Sequence, residues 1–307
     1  MVGGGLPHSD GFMISAVELL IDHLVEHIQV AYMRDYGVLK PECANIAAWA
    51  TRMALQNIRN SDALYHNVEH TAMVVQVGLE IVTGKQIREG GVSPEEWLNF
   101  TVALACHDIG YVRGVLRGDR PNAILTGRGN ETIQLPEGAT DAALGPYHVD
   151  RSQQFIRERF SGHPVLDAER ICQNIEYTRF PIPKAEAHIS PKDSPGLVRA
   201  ADLIGQLADP RYLVKLPALF HEFEETGANV GFGYKTPEDL RRAYPRFFWK
   251  SVRPYIGDAL SYLRVTSQGA LWVANLQAVI FDAEHSEQQA DVRALPIKDS
   301  GRKTKKA

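Results

Sequence analysis

Apolar residues recur at spacings of three and four in segment after segment of this chain, and no strand-like alternation persists between them. That period is the one an α-helix imposes on a half-buried face. Val17, Leu20, Ile21, Leu24, Val25 and Ile28 carry it first, from about residue 14, and 44–58 carries it again. Residues 72–82 are apolar nearly all round, which predicts a helix buried on every side. Ser93, Pro94, Glu95 and Glu96 read as a helix start, with a capping hydroxyl, a first-turn proline and acids at the positive end of the dipole. That helix runs through Trp97, Phe100, Leu104 and Cys106, and Gly110 is expected to end it. Further helical patterns cover 149–160, 167–177, 196–207, 211–225, 237–243, 247–265 and 269–284. The expectation is an all-α fold in one compact multi-helix domain over 13–290. A disordered N-terminus (1–12) and a basic flexible tail (291–307) flank it.

Two stretches break the pattern. Residues 113–146 hold six glycines and little periodicity, so they read as a long loop, and 180–195 is proline-rich and irregular. Arg113, Arg117, Arg120 and Arg128 in the first stretch have the chemistry to bind a phosphate, although a solvated basic loop explains any one of them as well. A hydrophobic content of 44% is enough for a sizeable core, and a net charge of −4 gives no reason to expect nucleic-acid binding. The cysteines are Cys43, Cys106 and Cys172, an odd and widely spaced set that fits neither a disulfide framework nor a paired-cysteine metal site. With no basic-then-apolar leader and no apolar run long enough for a bilayer, the expectation is a cytoplasmic protein without membrane contact.

The chemistry lies where apolar segments are interrupted. His66 and His70 stand in the first, His107 and Asp108 directly follow Val102-Ala-Leu-Ala-Cys106, and Asp202 sits inside Leu197-Val-Arg-Ala-Ala-Asp-Leu-Ile204. A carboxylate in such surroundings is costly to bury unless it meets a cation. One divalent ion held by imidazole and carboxylate would satisfy all three segments, and those donors suit zinc, manganese or ferrous iron. Asp108 has two oxygens and could bridge to a second, more hydrated ion such as magnesium. His66 and His70 are four apart, hence on one helical face if that turn is helical. The zinc-protease motif shares this spacing but needs Glu where the chain has Asn67.

The ordered set His66-Asn67-x-x-His70, then His107-Asp108, then Asp202 in an Ala-Asp-Leu context resembles the HD superfamily of metal phosphohydrolases. Residues 65–74 resemble the catalytic domain of cyclic-nucleotide phosphodiesterases, and the likeness spans roughly residues 60–260. The resemblance implies an HD/phosphodiesterase-like fold and two divalent metal ions (Zn, Mn, Mg or Fe). It implies that His70, His107, Asp108 and Asp202 hold the first ion, that Asp108 bridges to the second, and that His66 is the general acid. A bridging hydroxide would attack the phosphorus of a small phosphorylated substrate. His148 falls where the family has a histidine near the second metal, and Phe247 where an aromatic stacks on a base. Tyr244 stands in the neighbourhood of the family's purine-selecting glutamine, Gly205 in place of an asparagine, and Tyr111 near the position of a third histidine. These departures point away from cyclic AMP or GMP as substrate. The implied function is phosphoester hydrolysis. The alternatives are an HD-fold di-iron oxygenase, which normally needs more histidines, and a non-catalytic domain that binds a ligand.

Overall fold

The computed structural model describes residues 15–183 and 192–293, with side chains as far as 285. The N-terminus expected at 1–12 and half of the irregular stretch at 180–195 (184–191) lie outside the described residues, as does the tail expected at 291–307 beyond 293; its first three residues belong to the last helix. The fold is all-α, as the period predicts. Its helices are α1 (Ala16–Tyr36), α2 (Pro41–Ile58), α3 (Val68–Arg88), α4 (Pro94–Cys106), α5 (His148–Phe160), α6 (Ala168–Glu176), α7 (Ser194–Leu207), α8 (Tyr212–Thr226), α9 (Ala228–Phe232), α10 (Pro237–Phe247), α11 (Arg253–Leu263) and α12 (Ser267–Arg293). No helix among the described residues is long and apolar enough to cross a membrane.

Helix α3 is the axis of the fold. Val74, Val75, Val77, Leu79, Ile81 and Val82 are all buried, because α1, α4, α7, α11 and α12 pack around it. It lies close to α7 at Gly205, where an added Cβ would stand 2.9 Å from the Cα of Val74. Any side chain at 205 would push α3 and α7 apart, which explains the glycine at that position. The expected start at Ser93 is a full capping box with Glu96.

Three expectations need correction. The helix predicted over 247–265 is interrupted by a wide turn at Phe248–Val252, just before Pro254, whose ring nitrogen cannot donate to the helical ladder. Gly110 does not end α4, which stops at Cys106; it lies in a 3-10 turn at Ile109–Tyr111. A Cβ there would meet the carbonyl oxygen of His148 at 2.0 Å, so this glycine lets α5 dock against the chain just past Asp108. The long loop is also more ordered than its glycines suggest. It contains a two-stranded antiparallel hairpin, β1 (Ile124–Leu125) with β2 (Thr132–Ile133), and a 3-10 turn at Asp141–Leu144.

One buried ion pair organises that loop. Arg151 of α5 is fully buried and its guanidinium meets both carboxylate oxygens of Asp119, at 3.1 and 2.9 Å. It also donates to the carbonyls of Gly110 (2.6 Å), Val112 (2.8 Å) and Leu125. Asp119 in turn accepts the backbone amides of Gly114, Leu116 and Leu125. The loop arginines take the structural option. Arg113 pairs with Asp141 and Asp62, Arg117 donates to the Glu158 carbonyl, Arg120 to nearby carbonyls, and Arg128 to Asp150.

Candidate metal centre

Each residue of the centre is placed by a local device. Asn67 is the N-cap of α3, its side chain accepting the amides of Glu69 and His70, so the position is filled by the residue that starts the helix carrying His70. His66 therefore precedes the helix, and the two histidines do not share a helical face. Their rings meet edge to face, 5.5 Å apart at 82°. His107 caps the C-terminal end of α4, where its Nδ1 donates to the Leu104 carbonyl at 2.8 Å. That bond fixes the tautomer and leaves the Nε2 lone pair for the site. Asp202 arrives on α7 and Asp108 on the turn after α4.

These four side chains converge. His70 Nε2 lies 3.3 Å from Asp108 Oδ2 and 3.5 Å from Asp202 Oδ1. His107 Nε2 lies 3.1 Å from Asp108 Oδ2 and 3.6 Å from Asp202 Oδ1. Donor atoms at zinc-like bond lengths sit about 3.0–3.4 Å apart along the edges of an octahedron or tetrahedron. The observed spacings are of that size. His107 Nε2 and Asp108 Oδ2 are also buried without any hydrogen-bond partner. Two such orphans facing each other are costly unless a cation lies between them. Burial opposes charge on all these groups. Even so, Asp108 and Asp202 hold the His107 imidazole well above its ordinary pKa, while the His107 imidazole holds the Asp108 carboxyl well below its own. The cluster seeks positive charge, and a divalent ion fits the donors present.

Beside it lies a second group. His66 Nδ1 contacts Glu222 Oε2 at 2.5 Å, while Glu222 Oε1 accepts the amides of Tyr65 (2.6 Å) and His66 (3.2 Å). Burial lowers the pKa of His66, but Glu222, with smaller help from Asp108 and Asp202, pushes it up to about 9. Ligand atoms of His66, His70 and Asp108 lie within 4.8 Å of one another, so proximity alone would also admit His66 as a ligand. The Glu222 carboxylate on Nδ1 raises the basicity of the ring and leaves Nε2 on the side of the centre, an arrangement that serves a proton donor as well as a ligand. His148, first residue of α5, has its Nδ1 on the Gly145 carbonyl (2.6 Å) and its Nε2 3.8 Å from Asp108 Oδ1. The structure thus brings His66, His70, His107, Asp108, His148 and Asp202 together.

A family model described as Npun_R2479-like matches residues 14–286. The chain belongs to the Npun_R2479-like family. No curated protein matches it. The span common to this Npun_R2479-like chain and its family runs from the head of α1 into α12 and includes every residue of the cluster.

Tyr244 and Phe247 of the Npun_R2479-like chain each rest against an aromatic ring outside the cluster. Tyr244 is buried against the ring of Tyr212 (5.2 Å), and Phe247 meets Phe180 edge-on (5.8 Å). Sequence reasoning missed Glu222 and the Arg151–Asp119 pair. A signal existed for Glu222 and for Arg151, though not for the partner of either. Glu222 interrupts the apolar face formed by Leu216, Leu219, Phe220 and Phe223, and Arg151 stands four residues before Phe155 on the buried face of α5.

Proposed function

We propose that this chain is a divalent-metal-dependent phosphoric ester hydrolase of the HD type, acting on a small phosphorylated substrate. The observation that carries the reading is the pair of buried, unpartnered donors, His107 Nε2 and Asp108 Oδ2, within a four-residue set spaced as the ligands of one ion are. His70, His107, Asp108 and Asp202 would hold the first ion, and Asp108 would be shared with a second on the side of His148. When bound, divalent ions acidify a coordinated water and offset charge on the phosphoryl oxygens. His66 supplies the proton for the departing oxygen. Glu222 holds Nδ1 and favours the protonated ring, which leaves Nε2 as the atom that would deliver the proton. The Leu104 carbonyl keeps the His107 tautomer ready to ligate. By the resemblance, Tyr244 stands near the purine-selecting glutamine of cyclic-nucleotide phosphodiesterases, so a purine cyclic nucleotide is not the favoured substrate.

The test combines metal content by elemental analysis with hydrolysis of bis-p-nitrophenyl phosphate and a panel of cyclic nucleotides, with and without manganese. Bound metal and manganese-stimulated hydrolysis of the diester are expected. A second reading, an HD-fold di-iron oxygenase, draws on the His148 imidazole beside Asp108. Bound iron with an optical band and no hydrolysis of any ester would favour it.

A further inference from the structure

Tyr111 stands between the two histidines that flank Asp108. Its ring stacks on His66 at 4.5 Å and 11°, and its other face stacks on His148 at 4.5 Å and 20°. The ring has little freedom to leave that position. The Tyr111 amide donates to the Asp108 carbonyl at 3.1 Å, closing the 3-10 turn on Asp108 itself. The carbonyls on either side, of Gly110 and Val112, are both held by the buried Arg151 guanidinium. A Cβ built at Gly145 would lie only 3.6 Å from Tyr111 Cε1, so the chain also closes on the ring's edge.

Each imidazole has one fixed nitrogen, Nδ1 of His66 on Glu222 and Nδ1 of His148 on the Gly145 carbonyl. One hydrogen bond leaves a ring free to tilt about that bond. A flat surface against its face removes the tilt. We propose that Tyr111 is a positioning residue, a rigid aromatic spacer that sets the ring planes of His66 and His148 so that both present Nε2 to the Asp108 side of the centre. The hydroxyl is not needed for this, whereas the ring is. The catalytic consequence rests on the hydrolase reading above, with His66 as the proton donor; the geometric one does not.

Two variants separate ring from hydroxyl: Tyr111→Phe keeps the stack and Tyr111→Leu removes it. The kinetic probe is a series of methyl aryl phosphodiesters, from p-nitrophenyl to unsubstituted phenyl, with manganese. The p-nitrophenolate leaves without a proton, whereas the phenyl ester depends on the acid. Loss of alignment of the acid should lower turnover of the phenyl ester by about 100-fold and of the p-nitrophenyl ester by less than about threefold in Tyr111→Leu. Tyr111→Phe should match wild type on both. Equal losses on both esters in Tyr111→Leu would overturn the proposal, as would Tyr111→Phe behaving like Tyr111→Leu. The second readout needs no activity. In zinc-loaded protein with labelled histidines, the ring protons of His66 and His148 should be shifted upfield by the Tyr111 ring in wild type and Tyr111→Phe. In Tyr111→Leu they should move downfield and broaden. Unchanged resonances there would overturn the proposal. If wild type hydrolyses none of the esters, the hydrolase reading falls, and the resonances still decide whether Tyr111 holds the rings.

Discussion

Replacing Arg151 with methionine should destabilise the fold by about 3–5 kcal/mol, the range for breaking a buried ion pair from one side. Methionine fills much of the volume but donates nothing. Asp119, with a side chain 1% exposed, would keep its charge with only the amides of Gly114, Leu116 and Leu125 to answer it. The carbonyls of Gly110, Val112 and Leu125 would lose a donor each, at roughly 1–3 kcal/mol for a buried orphan. These losses do not add, because the freed groups share whatever water enters, and the three amides left on Asp119 argue for the lower end of the range. Urea unfolding followed by circular dichroism reads the effect. With a denaturant slope of about 3 kcal/mol per molar, the midpoint should fall by roughly 1 M. Asp119→Leu completes a double-mutant cycle, and the double variant should be more stable than the sum of the single losses implies, by about 2 kcal/mol or more. A midpoint within about 0.3 M of wild type, or a strictly additive cycle, would refute the idea that this pair holds the loop.

His107→Ala should remove the first ion, with metal content by elemental analysis falling at least about tenfold at equal protein and the helical content kept. For His66 the sign of the pH effect follows from a pKa raised from 6.5 to about 9. Its contribution to stability is complete below pH 6.5 and is lost as pH rises through about 9, so urea midpoints of metal-free wild type should decline over that window. Glu222→Gln should flatten that slope, and a slope unchanged by the substitution would assign it to other groups. Gly205→Ala should lower stability by about 1–3 kcal/mol and reduce metal occupancy, because its methyl group must displace Val74 and with it the α3 backbone that carries His70. Asp108→Asn should lose the second ion along with activity, which a metal-to-protein ratio would show.

The helices were legible because a helix half-sunk in a core writes its period into the sequence. The continuous apolar run at 72–82 even announced that α3 would be central. Four members of the centre were legible for a related reason, since charged and imidazole groups interrupting apolar helices demand a partner. Asn67 weakens the zinc-protease motif in the sequence, but its capping role, which moves His66 out of the helix, appears only with the backbone. The 113–146 stretch was the hardest to read. Its order comes from Arg151 and Asp119, 32 residues apart, and no local pattern encodes a contact at that distance.

The sequence by itself determined that this chain would build helices around an apolar axis and that His70, His107, Asp108 and Asp202 would fall at the ends and interruptions of apolar segments. Both follow from water's exclusion of apolar groups and its hold on charged ones, which act residue by residue. The tertiary structure alone decided the distances of 3.1–3.6 Å among those donors, the carboxylate of Glu222 behind His66, and the Tyr111 ring between His66 and His148. Those depend on how closely α3, α7 and α5 approach at Gly205 and Gly110, and close packing is a property of the assembled helices that no single segment carries.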